Sequence, residues 1–264
     1  MRASSSKCCV VTRGRVGPRV LLVHGFPLDA RMWGAQLDAL GDMAQLAAID
    51  LPGFGQSAAP SPLPEALTMD TLAHAVLETA DTLGWPTFVL GGLSMGGYVV
   101  FATLRLARAR IGGVLLANTR AGADPPGRLE FRRRDAADVL AQGLGDRPAA
   151  QAKNLLSPQT HIDLPDVVTL VKDMVAGSSP ATYAAAQRGM ALRPDSTDEL
   201  IAIDVPTLCV TGADDAVMSP DDTRAMADRI PGAELLVVEH AGHLAPLERP
   251  EPVNEALRRL LNRI

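Results

Sequence analysis

Gly92-Leu93-Ser94-Met95-Gly96 places a hydroxyl between two glycines, where a strand-like run (Thr87 to Leu90) meets a helical pattern from Met95 to about Ala107. A G-x-S-x-G sequence in a strand-to-helix context is the signature of a nucleophile on a sharp turn. The reason is steric. On so tight a turn, side chains at the flanking positions would strike the strand and the helix, and glycines remove them. The serine oxygen then stands above the sheet edge. The Met95 N–H, at the start of the helix, points to where an oxyanion would form. A serine hydroxyl is a poor nucleophile until a base takes its proton, and that base needs an anion at its other nitrogen. His24, His74, His161, His240 and His243 are the available bases. His74 lies off the apolar face of its helical pattern and His161 falls in a charged, helical stretch. His240 and His243 sit together in Glu239-His240-Ala241-Gly242-His243-Leu244, after the last strand-like run. Their H-x-x-H spacing is not read as a metal site, because no third ligand clusters with it. Asp214 and Asp215, just after the strand-like run Pro206 to Thr211, are the candidate carboxylates.

The elements that must bring these groups together alternate between short β-rich runs and helical patterns, as in a mostly parallel sheet covered on both faces. Cys8 to Thr12 and Arg19 to Val23, separated by Gly14 and Gly17-Pro18, read as an opening hairpin. Gln45 to Asp50, Thr87 to Leu90 and Ile111 to Ala117 follow as strands. Thr68 to Leu83 is an amphipathic helix in which Met69, Leu72, Ala73, Val76, Leu77, Ala80 and Leu83 recur at three- and four-residue steps, with Thr68 as N-cap and Gly84 as stop. From Arg120 to about Glu199 the strand-like runs vanish, and Ala-rich helical pieces appear between prolines. Strands return at Pro206 to Thr211 and Glu234 to Glu239, and a Leu-rich helix spans about Pro252 to Arg263. The division expected is an α/β core over residues 1–118 and 200–264 with an inserted helical lid over 119–199.

Composition narrows the function. The 264 residues are 47% hydrophobic, enough for a sizeable core and against disorder. A net charge of −5 lacks the cationic field a nucleic-acid surface needs, and 3% aromatics are too few for a base-stacking platform. Thr82 to Leu104 is uncharged and long enough to span a bilayer, but Pro86 and five glycines divide it into strand, turn and helix. Met1 to Lys7 is polar and Cys8 to Val11 is too short for a signal-peptide core, while Cys8, Cys9 and Cys209 make no disulfide framework. The expectation is a cytoplasmic protein without membrane or nucleic-acid partners.

With Val23-His24-Gly25-Phe26-Pro27, Asp50-Leu51-Pro52-Gly53-Phe54-Gly55-Gln56-Ser57 and the elbow at Ser94 in place, the chain resembles the α/β-hydrolase superfamily along its whole length. The resemblance implies an oxyanion loop after the second strand, with the Phe26 amide as second donor beside that of Met95. It makes His24 a structural residue shaping that loop, and Asp50 and Ser57 turn-formers. The run Ala241-Gly242-His243 is similar to the family's A-G-H-x-x-P-x-E-x-P, which selects His243 as the base. The family's acid commonly stands three residues after a glycine, which selects Asp215 over Asp214. The alternative acid position, after Ile111 to Ala117, holds Asn118-Thr119 and no carboxylate before Asp124. The order Ser94, Asp215, His243 is that of the fold. A run of three glycines typical of lipases is absent, since Phe26 and Pro27 follow Gly25.

The pocket candidates are Trp33, which either lines the cleft or anchors a helix, with Tyr183 and Met190 from the insert. Arg132-Arg133-Arg134 reads as a solvated helix face rather than as a recruiter of anionic substrates. The resemblance extends to small carboxylesterases and 3-oxoadipate enol-lactonases. It implies a serine hydrolase of a small-molecule ester or lactone, acting through an acyl-enzyme, without cofactor or metal. Perhydrolase, C–C hydrolase and slow-turnover ligand-sensor functions share the same motifs.

Overall fold

The computed structural model of the protein describes residues 8–264. The polar stretch Met1 to Lys7, on which the reading of no secretion signal rests, lies outside them. Seven strands, β1 (Val10–Arg13), β2 (Arg19–Val23), β3 (Gln45–Ile49), β4 (Phe88–Leu93), β5 (Ile111–Ala117), β6 (Thr207–Gly212) and β7 (Glu234–Val238), form one sheet in the order β1-β3-β2-β4-β5-β6-β7. β1 pairs antiparallel with β3, and every other pair is parallel. The helices between them are α1 (Gly34–Leu40), α2 (Met69–Thr82) and α3 (Met95–Ala107). Then come α4 (Pro126–Gln142), α5 (Arg147–Leu155), α6 (Pro158–Asp163), α7 (Pro165–Ala176), α8 (Pro180–Ala191), α9 (Pro220–Arg229), α10 (Ala245–Glu248) and α11 (Pro250–Leu261).

Alternation along the strands builds a core on each face. Leu21 and Val23 of β2 join one apolar cluster with Leu90, Leu116 and the inward residues of α2 and α3. Val20 and Leu22 join the other with Val89, Leu115 and the inward residues of α1 and α11. Thr68 caps α2, accepting the Thr71 N–H, and Gly84 ends it with φ +69°. His74 is exposed on that helix and His161 is exposed on α6.

The expected opening hairpin does not form. Both edges of the buried strand β2 are taken by β3 and β4, so the half-exposed β1 adds instead beyond β3, with Val10 opposite Ile49. Between β1 and β2 the chain passes directly over the Met43–Ala44 backbone: Gly14 and Gly17 both have positive φ, and a Cβ on either would strike a carbonyl there. The uncharged segment Thr82 to Leu104 resolves into the end of α2, β4, the turn and most of α3. No described helix is long and apolar enough to cross a membrane.

Helices α4 to α8 are inserted between β5 and β6. They share one small cluster of their own, Ala136, Val139, Tyr183 and Ala184. Otherwise they feed the two main cores: Leu155, Val171 and Val175 enter one, Ala185 and Met190 the other.

Candidate active site

Ser94 sits between β4 and α3 at φ 54° and ψ −113°, a backbone conformation that costs a non-glycine residue of order 1–3 kcal/mol. Close approach explains its neighbours. A Cβ on Gly92 would collide with the Gly96 carbonyl, and one on Gly96 with the carbonyls of Val23 and His24. The turn is held from the next strand, since the Ser94 N–H donates to the Ala117 carbonyl (2.9 Å) and Thr119 Oγ1 donates to the Ser94 carbonyl (2.8 Å). Met95 opens α3, so its N–H has no partner within the helix.

His243 and Asp215 meet above the same end of the sheet. The His243 Nδ1 lies 2.8 Å from Asp215 Oδ2 and 3.0 Å from Oδ1, with both side chains buried. That pairing puts the proton on Nδ1 and leaves Nε2 for exchange with a substrate. Asp215 accepts three further hydrogen bonds: from the Val217 and Met218 N–H groups to Oδ1 (2.8 and 2.9 Å) and from Asn118 Nδ2 to Oδ2 (2.9 Å). Burial by itself would raise its pKa. The adjacent His243 and these donors outweigh burial and hold the carboxyl below the usual carboxylate range.

The loop carrying His243 is pinned by Glu248, a buried carboxylate at the end of α10. Its Oε1 accepts the Gly242 and Leu244 N–H groups (2.9 and 3.2 Å). Its Oε2 accepts the Ser157 N–H and the Thr160 hydroxyl (2.7 Å each) from the insert. The His243 N–H in turn donates to the Leu155 carbonyl (2.8 Å).

His24 shapes the loop before α1. Its Nε2 accepts the Leu51 N–H (3.0 Å), which places the ring proton on Nδ1, donating to the Gly25 carbonyl (2.9 Å). Full burial pushes its pKa down, so the ring is neutral and structural. Asp50 accepts the Ala30 and Gln56 N–H groups (2.7 and 2.8 Å), and Ser57 donates to the Asp50 carbonyl (2.6 Å), closing the turn. His240 is exposed at the end of β7, and no cluster of metal-ligating side chains occurs among the described residues. Asp214 contributes its N–H to the Ala241 carbonyl, while no hydrogen bond or ion pair among the described residues joins its side chain to His243.

Ser94, His243 and Phe26 line a cavity of about 250 Å³, roofed by the insert. Ser94 and His243 are not hydrogen-bonded to each other; such bonds commonly tighten only once substrate fills the site. Of the pocket candidates, Met190 lines the cavity and two do not. Trp33 is wholly buried in the core on the α1–α11 face, as an anchor. Tyr183 stands one layer back, its ring 4.5 Å from that of Phe26 and its hydroxyl donating to Asp135 (2.9 Å).

The tribasic run of α4 divides. Arg133 and Arg134 are exposed as a solvated face, whereas Arg132 is 3% exposed and lines the cavity. Its Nε pairs with Asp124 and its Nη1 donates to Gln187 Oε1 (2.8 Å). Arg120 and Arg193 pair with the same Asp124 carboxylate at 2.8 Å. Burial alone would raise the Asp124 pKa; the guanidiniums override it and bring it down to about 2. The signal for Arg132 was in the sequence: with Arg128, Ala136 and Val139 it recurs at the steps of one helix face. Asn118 and Glu248 were the other omissions. The first is a lone polar residue ending an apolar strand, and the second is the Glu of the A-G-H-x-x-P-x-E run.

Residues 18–250 match the model of the alpha/beta hydrolase fold family. The chain belongs to that family. A thermophilic esterase from Thermogutta terrifontis, solved with malate bound, superposes with a TM-score of 0.92 at 41% identity, over 97% of this chain and 93% of that one. The enol-lactonase of Burkholderia xenovorans superposes with a TM-score of 0.87 at 25% identity, over 97% and 96%. In sequence, 3-oxoadipate enol-lactonase 2 of Acinetobacter baylyi is 26% identical over 93% of this chain and 89% of its own length.

Proposed function

We propose that this α/β hydrolase cleaves a small carboxylic ester or lactone through an acyl-enzyme formed on Ser94. The observation that carries the reading is the Asp215–His243 pair, hydrogen-bonded through Nδ1, at a cavity also lined by a serine on a strained elbow. In the reaction, His243 Nε2 takes the Ser94 proton as the oxygen attacks the carbonyl carbon, then gives it to the departing alcohol. A water repeats the sequence and releases the acid. Asp215 holds the ring orientation and balances the imidazolium. The Phe26 and Met95 N–H groups receive the oxyanion. No metal or cofactor takes part. Residues 119–199 act as the lid over the core of 1–118 and 200–264, shaping the acyl and alcohol pockets. The esterase and enol-lactonase relatives support the ester or lactone class of substrate.

Ser94→Ala in pure, folded protein is expected to lower hydrolysis of p-nitrophenyl acetate by at least about a thousandfold, as losing a nucleophile does. In heavy-oxygen water the native enzyme places one solvent oxygen in the acid product. An unchanged rate in the variant would remove the assignment of Ser94, and an acid product without solvent oxygen would remove hydrolysis itself.

A further inference from the structure

The cavity is lined by a cation with no direct ion-pair partner among the described residues. Arg120, Arg128, Arg132 and Arg193 gather around Asp124, but the carboxylate is taken by Arg120, Arg132 and Arg193. The Arg128 guanidinium, half-buried on α4, has no ion pair or hydrogen bond among the described residues, and lies 5.2 Å over the Phe131 ring. Burial and the neighbouring Arg132 push its pKa down, and the pull of Asp124, shared with three other guanidiniums, offsets this only in part.

A second donor stands beside it without an acceptor. Tyr98, on the first turn of α3, is 3% exposed and lines the same cavity, and its buried hydroxyl has no hydrogen-bond partner. The Arg193 guanidinium lies 3.9 Å over its ring. A buried donor left without an acceptor is costly to the fold. A guanidinium fork and a phenol O–H, both unsatisfied in one small cavity, fit a planar acceptor with two oxygens.

We propose that the substrate carries a free carboxylate, separated by a short chain from the carbonyl that Ser94 attacks, and that Arg128 and Tyr98 bind it. The proposal rests on the ester-hydrolase reading and sharpens it to half-esters or lactones of small dicarboxylic acids. At about 250 Å³ the cavity suits a short chain. Arg128 grips the carboxylate with its fork, Tyr98 donates to one of its oxygens, and Arg132 stays with Asp124 and Gln187.

The test compares kcat/KM for the monomethyl esters of succinic, glutaric and adipic acids with the same methyl esters bearing a terminal carboxamide. The carboxamide keeps the shape and removes the charge. The native enzyme is expected to prefer the acid at one chain length by about ten- to a hundredfold, the worth of hydrogen bonds to a charged group. Arg128→Gln collapses the ratio towards one, Arg128→Lys keeps part of it, and Tyr98→Phe lowers it by a smaller factor. Calorimetry with the free dicarboxylates provides a readout without turnover: they bind to Ser94→Ala, and not to the Ser94→Ala/Arg128→Gln double variant. Equal rates on acid and amide at every chain length, or a preference that survives Arg128→Gln, would overturn the carboxylate site. If p-nitrophenyl acetate is cleaved equally by Ser94→Ala, the hydrolase reading fails instead, and dicarboxylate binding still decides the site.

Discussion

The His243 ring is held by a carboxylate that accepts three further hydrogen bonds, and of these three the one from Asn118 comes from a side chain. Asn118→Ala takes one hydrogen bond from Asp215 Oδ2 and one from the Gly242 carbonyl beside His243, and leaves the Val217 and Met218 amides on Oδ1. A hydrogen bond to a charged group is worth about 1.5–3 kcal/mol, so kcat is expected to fall about tenfold or more with KM little changed, as Asp215 swings and His243 loses its orientation. Steady-state kinetics on a short ester measures both parameters, and a loss appearing in KM alone would place Asn118 in substrate binding. Sequence made Ser94, Asp215 and His243 legible for different reasons. Ser94 is announced by glycines that backbone contacts demand, and its own spacing suffices. Asp215 and His243 needed the family's pattern, because a carboxylate among two and a histidine among five cannot be chosen by local chemistry. Asn118 left only the weak mark of a polar residue after an apolar strand, since the groups its side chain serves, Asp215 and the Gly242 carbonyl, lie on loops after β6 and β7.

At the scale of elements, strands and long helices were readable because alternation and three- and four-residue steps are local signals: β5 (Ile111–Ala117) and α3 (Met95–Ala107) begin and end where the residues indicate. Pairing was not. The place of β1 beyond β3 depends on which edges β2 has left, which only the assembled sheet decides. The packing of α4 was half readable. Its buried face recurs at helical steps, but an arginine in that face reads as solvent-exposed until the carboxylate that receives it, Asp124, is known. That carboxylate joins the loop after β5 to α4 and, through Arg193, to the end of the insert. Asp124→Ala leaves three guanidiniums without their anion and is expected to destabilise the fold by about 3–5 kcal/mol, measured as a drop in unfolding free energy by urea titration. A change below about 1 kcal/mol would mean that the arginines find other partners or water.

For the whole molecule, acid is expected to be the weak side. Asp124, brought down to about 2, and Asp215, held below the usual range, both have lower folded than unfolded pKa values. Their contribution to stability is therefore complete above the ordinary carboxylate value of about 3.9 and lost as pH falls through the folded values. Melting temperatures from calorimetry should change little from about pH 7 to 5 and decline steeply towards 2. A melting temperature that holds or rises between pH 4 and 2 would contradict the linkage. The two faces of the sheet share this dependence, since the insert feeds residues into both cores and cannot be shed as a separate unit.

Glu248 accepts from the loop that carries the proposed base and, with its other oxygen, from Ser157 and Thr160 of the insert. The insert and the proposed proton-transfer machinery are thereby spliced into one joint. A roof transplanted from a related hydrolase to change specificity would have to bring its own equivalents of Ser157 and Thr160, or the graft would unsettle the imidazole it was meant to leave alone.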